Sequence, residues 1–391
     1  MNRADHTSSP GDRVISVDAL RGFDMFWITG GNQVFLALAG LFVSPLPDWL
    51  KYQLEHPRWE GFSAWDVIMP LFLFIVGVAM PFAFARRLEA GQSPGQMYGR
   101  IIRRVLVLWV LGMMAQGNLL EFNLSTLHPF SNTLQAIAVG YLVAGIALLH
   151  LSAVGQVGLA VLLLVGYWLL MMLVPVPGHS AGLLEEHTNL AMYIDEMVLG
   201  RFRDGTTYTW ILGSMGFAGM VLCGVFAGHL LRSRWSGAMK VVWLVLLSLL
   251  SLALGWFWAG GFDQMLDVPL VGAWRFPIIK HLFTSSMVLW AAGWCYLLMA
   301  VFYLIMDVLG FRKCAFFFVV IGANPIFAYM IVRFVDFSEI SSRLVGGLAR
   351  NLGNLGAFGQ SLGTVLLVLT AYALLWLLLW YMYRKGTMLR V

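Results

Sequence analysis

RGFDMFWITGGNQVF (residues 21–35), followed after a polar interval by HPRWEGFSAWDVIMPLFLFIVG (residues 56–77), decides how this chain folds. The apolar run over residues 22–43 is long enough to cross a bilayer as a helix, and the run over 62–85 is long enough to return. The loop between them carries Asp48, Lys51, Glu55, His56, Arg58 and Glu60, while Asn32 and Asp66 stand near its ends. A histidine between two hairpinned helices, with an amide and a carboxylate at similar depth, can support proton or acyl transfer. A solvated loop holding a chance histidine fits the composition equally well.

Working outward, the pattern repeats along the whole chain. Of 391 residues 60% are hydrophobic and only 12% charged, and the mean hydropathy is +0.78. That composition predicts an all-α, polytopic integral membrane protein and excludes a soluble one. Ten spans are expected, over residues 22–43, 62–85, 105–120, 131–150, 153–174, 208–231, 239–259, 280–307, 314–335 and 361–383. Sixteen Trp and twelve Tyr suit aromatic belts at the two interfaces. Residues 1–13 read as a polar tail and 14–391 as one transmembrane domain. The tail lacks the basic start, short apolar core and small-residue cleavage site of a signal peptide, so the first span is expected to be kept.

The basic runs Arg86-Arg87, Arg100-Arg103-Arg104, Arg232-Arg234-Lys240, Arg312-Lys313 and Arg384-Lys385 fall on one side with the N-terminus. The positive-inside bias makes that side cytoplasmic, together with both termini, and turns the loop of His56 outward. On the outer side, Leu184, His187, Leu190, Ala191, Ile194, Met197 and Val198 recur at helical spacing and predict a short amphipathic helix. A second outer loop, residues 260–277, carries Asp263, Asp267, Trp274 and Arg275. A third, residues 336–360, is rich in Gly and Asn and reads as a loop. Cys223, Cys295 and Cys314 lack metal-ligand spacing and read as packing residues; neither a disulfide framework nor a metal site is indicated. The basic balance is a loop effect and gives no sign of nucleic-acid binding.

Ionisable and amide groups inside spans are costly and so draw attention. Asp24 lies three residues from Arg21 on one helical face and is expected to pair with it. Asn32 and Gln33 suit interhelical hydrogen bonds as well as chemistry. Asp66 either favours a helix N-terminus or orients a nearby imidazole. Trp59 and Trp65 can stack on a sugar or anchor the interface. Lys280, His281 and Ser285 open the eighth span, where they either serve the helix end or bind anionic or hydroxyl-bearing ligands. The inner cluster Arg100, Arg103 and Arg104 fits topology alone, or recognition of a phosphate-rich ligand.

Taken together, these patterns resemble the heparan-α-glucosaminide N-acetyltransferase family of transmembrane acyltransferases. SVDALRGFDMFWITGGN (residues 16–32) is similar to the family's S-x-D-x-x-R-G start, and HPRWEGFSAWDVIMP to its H-x-x-W-x-G and D-x-x-x-P boxes. SNTLQAIAVGYL resembles its fourth span, with Ala136 where a basic residue is more usual. YIDEMVLG and FAGMVLCGVFAGHLL resemble the middle region, FPIIKHLFTSS the P-I-N-K-x-L-W-T-S box with Ile279 in place of Asn, and GANPIFAYM and WYMYRKGTMLRV the end. The resemblance runs over nearly the whole chain from residue 14, without the large N-terminal extension of the animal enzymes.

The resemblance implies transfer of acetyl from cytoplasmic acetyl-CoA, as co-substrate, to the amine of a glucosamine-type sugar on the far side of a bilayer. It puts the catalytic residues at His56, Asn32 and Asp66. For that reaction the CoA contacts are expected at Arg21, Arg100, Arg103 and Arg104, and the acceptor side at Trp59, Glu60, Lys280, His281 and Ser285. No metal is expected; a homodimer is allowed by analogy, and if the source is bacterial the membrane is the inner one. The competing expectation is a multi-pass transporter or flippase for a sugar or lipid-linked sugar without acyl transfer. Internal repeats of the kind that mark many such transporters are not evident.

Overall fold

A computed structural model describes residues 14–43, 45–261 and 274–389. The tail 1–13 and the loop positions Asp263 and Asp267 lie outside the described residues. Within those residues the chain is helical, and a single antiparallel bridge, Glu60 to Ile279, is the only β-pairing.

The chain opens with α1 (Ile15–Phe26), a π turn (Trp27–Gly31) and α2 (Asn32–Ala39). Gly30, at φ +125°, supplies a backbone conformation closed to other residues and breaks the helix there. The polar interval forms the short α3 (Asp48–Leu54). Next come α4 (Ile68–Glu89), entered through a tight turn over Ala64–Val67, and α5 (Pro94–Gln116). They are followed by α6 (Thr133–His150), α7 (Ala153–Leu173), α8 (Leu190–Leu199), α9 (Ser214–Arg232) and α10 (Gly237–Trp258). The last elements are α11 (Ser285–Tyr303), α12 (Phe316–Gly322), α13 (Pro325–Phe334), α14 (Phe337–Gly353) and α15 (Ala357–Lys385).

Among the described residues, seven helices are long and apolar enough to cross a membrane, and α12 with α13, bent by 75°, would make an eighth. These coincide with eight of the ten expected spans. The expected first and third spans are also helical, but α1 carries Asp18, Arg21 and Asp24 ahead of the π turn, and α5 carries Arg100, Arg103 and Arg104. Neither is among the helices long and apolar enough to cross. At the bend between α12 and α13 the side chain of buried Asn324 ties the break to the chain that follows α15. Its Nδ2 donates to Thr387 O at 3.0 Å, and its Oδ1 accepts from Leu389 N at 3.0 Å.

Two close helix contacts hold the bundle in register. A Cβ on Gly77 of α4 would sit 2.0 Å from Val221 O of α9, and one on Gly224 would sit 2.0 Å from Phe74 O. Small residues here let two backbones meet where no hydrophobic drive separates helices from lipid. The α1–α12 pair repeats the device with Gly22 and Gly322.

Two expectations are corrected. Asp24 does not pair with Arg21. Arg21 Nη1 lies 3.4 Å from Asp18 Oδ1, whereas Asp24 is fully buried with neither carboxylate oxygen hydrogen-bonded. Successive turns put both carboxylates near one arginine, and the less buried of the two takes it. The segment read as a third loop is instead α14. Asp336 caps it, accepting from Ser338 N and Glu339 N at 2.9 and 3.0 Å, and Ser341 and Ala349 pack it against α15. The expected amphipathic helix exists as α8, begun by Asn189, whose Oδ1 accepts from Met192 N at 2.8 Å.

Candidate active site

Asp66 is the hub. It sits in the turn that starts α4, fully buried. Its Oδ2 receives the Ser63 N–H at 3.0 Å and the Ser63 hydroxyl at 3.2 Å. Its Oδ1 receives His56 Nδ1 at 2.7 Å and Lys280 Nζ at 3.0 Å. With four donors around it Asp66 acts as a carboxylate, which fixes the His56 proton on Nδ1 and leaves Nε2 as the basic atom. Lys280 Nζ also stands 3.1 Å from His56 Nδ1 and 3.3 Å from Nε2. Burial pushes the Lys280 ammonium below its ordinary value, and the adjacent Asp66 charge pulls it back up.

Lys280 reaches this place because the chain before α11 runs beside the His56 loop. The Glu60–Ile279 bridge and the bond from Gly61 N to Ile278 O, 2.9 Å, tie the two segments. Gly61, at φ +136°, permits the turn. Thr284 Oγ1 donates to Pro277 O at 2.8 Å and closes the loop that presents Lys280.

His56 and Lys280 face a cavity of about 560 Å³, of the size that holds a small ligand. Trp65, Tyr208 and Trp210 give it aromatic walls; Gln116, His128, Asp204, Tyr329 and Arg333 add polar ones. The far wall is tied together by Asn132, whose Nδ2 donates to Gln116 Oε1 at 2.6 Å and to Tyr329 OH at 3.0 Å. Tyr208 is pushed up to about 12, by burial first and by the Asp66 charge second, so its hydroxyl stays protonated at the cavity edge. Sequence reasoning missed this wall. Its members come from the end of α5, the segment leading into α6, α13 and the 203–210 loop, and no local pattern links them.

The remaining expected site residues fall in different places. Asn32 lines a second cavity, of about 580 Å³, with Thr29, Gln33, Asp336 and Tyr372. It shares Ile28, Trp65 and Arg333 with the first. Trp59 donates its Nε1 to Leu184 O at 2.9 Å and packs its ring edge on His281 at 5.4 Å. Tyr208 stacks on the same imidazole at 4.3 Å. Burial, and then the Lys280 charge, push His281 below its ordinary value, and its Nδ1 meets Thr207 Oγ1 at 2.5 Å. His281 and Trp59 thus support the wall from behind. Glu60 faces Arg275 at 3.9 Å. Ser285 is fully buried, donating to Leu164 O at 2.7 Å, a helix-packing bond away from the cavity.

The arginines stand at the other end of the bundle. Arg100 and Arg103 are exposed and line a recess of about 610 Å³ with Gln92 and Gln96. Arg104 turns inward, its guanidinium 4.4 Å over the Tyr141 ring, with Nε buried and without a hydrogen-bond partner. From Arg103 to Gln116, which lines the His56 cavity, α5 advances about 20 Å. Among the described residues no cluster of three His, Cys, Asp or Glu side chains could hold a metal ion.

The fold and this centre define a multi-pass, all-helical membrane protein with a carboxylate, an imidazole and an ammonium gathered on one cavity. The chain is 24% identical over 376 residues to heparan-α-glucosaminide N-acetyltransferase of Homo sapiens, which covers 81% of this chain and 52% of the human protein. It therefore spans about half the length of that curated relative. The similarity is distant, runs through most of the chain and agrees with the family resemblance of the motifs. No family model matches the chain.

Proposed function

We propose that the protein is an acetyltransferase that moves the acetyl group of acetyl-CoA onto the amine of a glucosamine-type sugar across a bilayer. In this reading ten helices span the membrane, both termini and the donor are cytoplasmic, and the acceptor approaches from the other side. The observation that carries it is the 2.7 Å contact of His56 Nδ1 with Asp66 Oδ1 on a cavity large enough for a sugar. The similarity to an N-acetyltransferase supports the reaction class.

The chemistry follows from the geometry. The amine nitrogen attacks the thioester carbonyl carbon, a C–N bond forms and the C–S bond breaks. His56 Nε2 takes the proton that the amine loses and returns it to the departing thiolate, giving the N-acetyl sugar and CoA. Asp66 holds the Nδ1–H tautomer and balances the imidazolium that forms. Lys280, 3.3 Å from Nε2, offers a cation to the oxyanion of the tetrahedral intermediate. Asn32 is a second donor to that oxyanion, reached from the adjoining cavity past Trp65. Arg100 and Arg103, in the recess at the far end, grip the CoA phosphates. An acetyl-His56 intermediate is the alternative route, and ping-pong kinetics would report it.

The test is reconstitution in liposomes with labelled acetyl-CoA on one face and glucosamine on the other, comparing wild type with His56→Ala. Label on the sugar with wild type alone is the expected result. A folded wild type that neither binds acetyl-CoA nor moves label would sink the proposal and favour a sugar transporter.

A further inference from the structure

Adjoining the His56 cavity at Trp65 lies a third space, an apolar groove of about 430 Å³. Trp27 of the π turn, Leu54, Phe62, Leu71, Trp290 and Trp294 are among its apolar walls. Its polar side chains are engaged elsewhere: Gln53 Oε1 accepts from Ala64 N at 2.8 Å, and Ser63 Oγ donates to Asp66 Oδ2. Trp290, Trp294 and Leu298 are one turn apart on α11, and Leu71 lies on α4. Both helices belong to segments apolar and long enough to cross the membrane. Trp294 remains 38% exposed on the outer side of its helix. The groove is therefore walled on this side by two helices of membrane-spanning length and apolarity.

What distinguishes this groove from an ordinary lipid-facing crevice is its neighbour. It shares Trp65 and Ile68 with the cavity of His56. The Trp65 ring lies 6.4 Å from the His56 ring and 6.2 Å from the Trp27 ring, so one side chain touches both spaces. Ser63, on the groove wall, bonds the same carboxylate that orients His56. A molecule with an apolar chain in the groove would hold its polar head within reach of the imidazole.

We propose that the acceptor is an amphiphile anchored in the bilayer, its hydrocarbon chain in this groove and its amino-sugar head at His56. The proposal rests on the acetyltransferase reading and narrows its acceptor class. Hydrocarbon gains little by leaving lipid for an equally apolar groove. The groove's contribution is instead registration: it turns an encounter in the bilayer into a positioned, effectively intramolecular one.

The test uses wild-type protein in nanodiscs with two acceptors, free glucosamine and a dodecyl glucosaminide held at fixed mole fraction in the bilayer. A dodecyl glucosaminide with a diazirine near the chain end serves for photolabelling. Trp294→Ala opens the groove and Leu298→Trp fills it; thermal unfolding checks that both variants fold. The expected results are at least a tenfold preference in kcat/KM for the dodecyl acceptor, falling below twofold in Leu298→Trp while the free-sugar rate holds within twofold. The photolabel should map to residues 290–298 and be displaced by dodecyl glucosaminide. A preference that survives Leu298→Trp shows mere partition into the bilayer and overturns the proposal. So does label spread evenly over the spans, or label displaced equally well by added phospholipid, which would mark a resident lipid. Transfer to both acceptors without groove labelling leaves the acetyltransferase reading standing and the anchored acceptor refuted. Groove labelling without transfer to either acceptor refutes the acetyltransferase reading, and the acceptor role with it, and leaves a groove that only binds amphiphiles.

Discussion

Lys280 Nζ stands 3.0 Å from Asp66 Oδ1, the same oxygen that receives the Nδ1 proton of His56. One buried carboxylate therefore serves both an ammonium and an imidazole, and leaves Nε2 of the imidazole as the atom that can act as a base. Replacing Lys280 with Met removes the cation offered to the oxyanion and is expected to lower kcat roughly 10²-fold. KM for acetyl-CoA should stay within about twofold, because the phosphate contacts are at the far end. Lys280→Arg should recover part of the loss. Steady-state kinetics on the three proteins decide it; an unchanged kcat in Lys280→Met would reduce the residue to a structural tie.

That contact also measures what the sequence could disclose. The hairpin around His56, the carboxylate at Asp66 and the apolar runs are local patterns, and eight of the ten expected spans stand in the structure where those runs put them. Lys280 was legible as a residue of the acceptor side but not as a neighbour of His56 and Asp66, because 224 residues separate it from His56 and nothing in spacing reports that contact. Asp24 misled for a related reason. Helical spacing gives two carboxylates access to Arg21, and only packing decides that Asp18 takes it. The 336–360 segment misled through its Gly and Asn content, although Asp336 and Glu339 carry the D-x-x-E signature of a helix start. Asn32 lies on the adjoining cavity because Gly30 redirects the chain just before it.

Asp195 gives a pH-dependent prediction away from the site. It is fully buried, with Oδ2 accepting from Trp210 N at 2.7 Å and Oδ1 from Ile211 N at 2.9 Å. Burial, the larger cause, pushes its carboxyl from 3.8 up to about 6, against the pull of those two N–H groups. The folded protein then binds more protons than the unfolded chain between those values. The stabilisation is full below 3.8 and is lost as pH rises through about 6, amounting to at most about 3 kcal/mol. Asp195→Asn should unfold at lower temperature than wild type at pH 4, having one acceptor oxygen for two N–H groups. The gap should shrink by pH 8. Thermal unfolding in detergent across that range checks it; a gap that widens with pH would refute the assignment.

The three arginines of α5 should separate into two behaviours. Arg100 and Arg103 face an open recess, so Arg100→Ala and Arg103→Ala are expected to raise KM for acetyl-CoA about tenfold each. The unfolding temperature should barely move, since neither is buried. Arg104 lies over the Tyr141 ring inside the bundle. Arg104→Ala should lose packing and a cation–π contact, about 1–2 kcal/mol of stability, with little change in donor KM. Titration of CoA binding alongside thermal unfolding reads both quantities. Donor affinity that tracks Arg104 and ignores the other two would move the phosphate site into the bundle.

Two glycines test the helix contact that carries Asp66. At Gly77 an added methyl would meet the Val221 carbonyl oxygen at 2.0 Å, backbone against backbone, with no flexible side chain to yield. Gly77→Ala must therefore push α4 away from α9, at an expected cost of about 1–3 kcal/mol or more. Because α4 starts at the turn that holds Asp66, the shift should also disturb the His56 contact and lower kcat. Gly158, in the first half of α7, has nothing within 4 Å of the same added atom. Gly158→Ala removes only backbone freedom and should stabilise by about 0.5–1 kcal/mol with unchanged activity. Equal effects of the two substitutions on unfolding temperature would mean that α4 and α9 do not meet through Gly77.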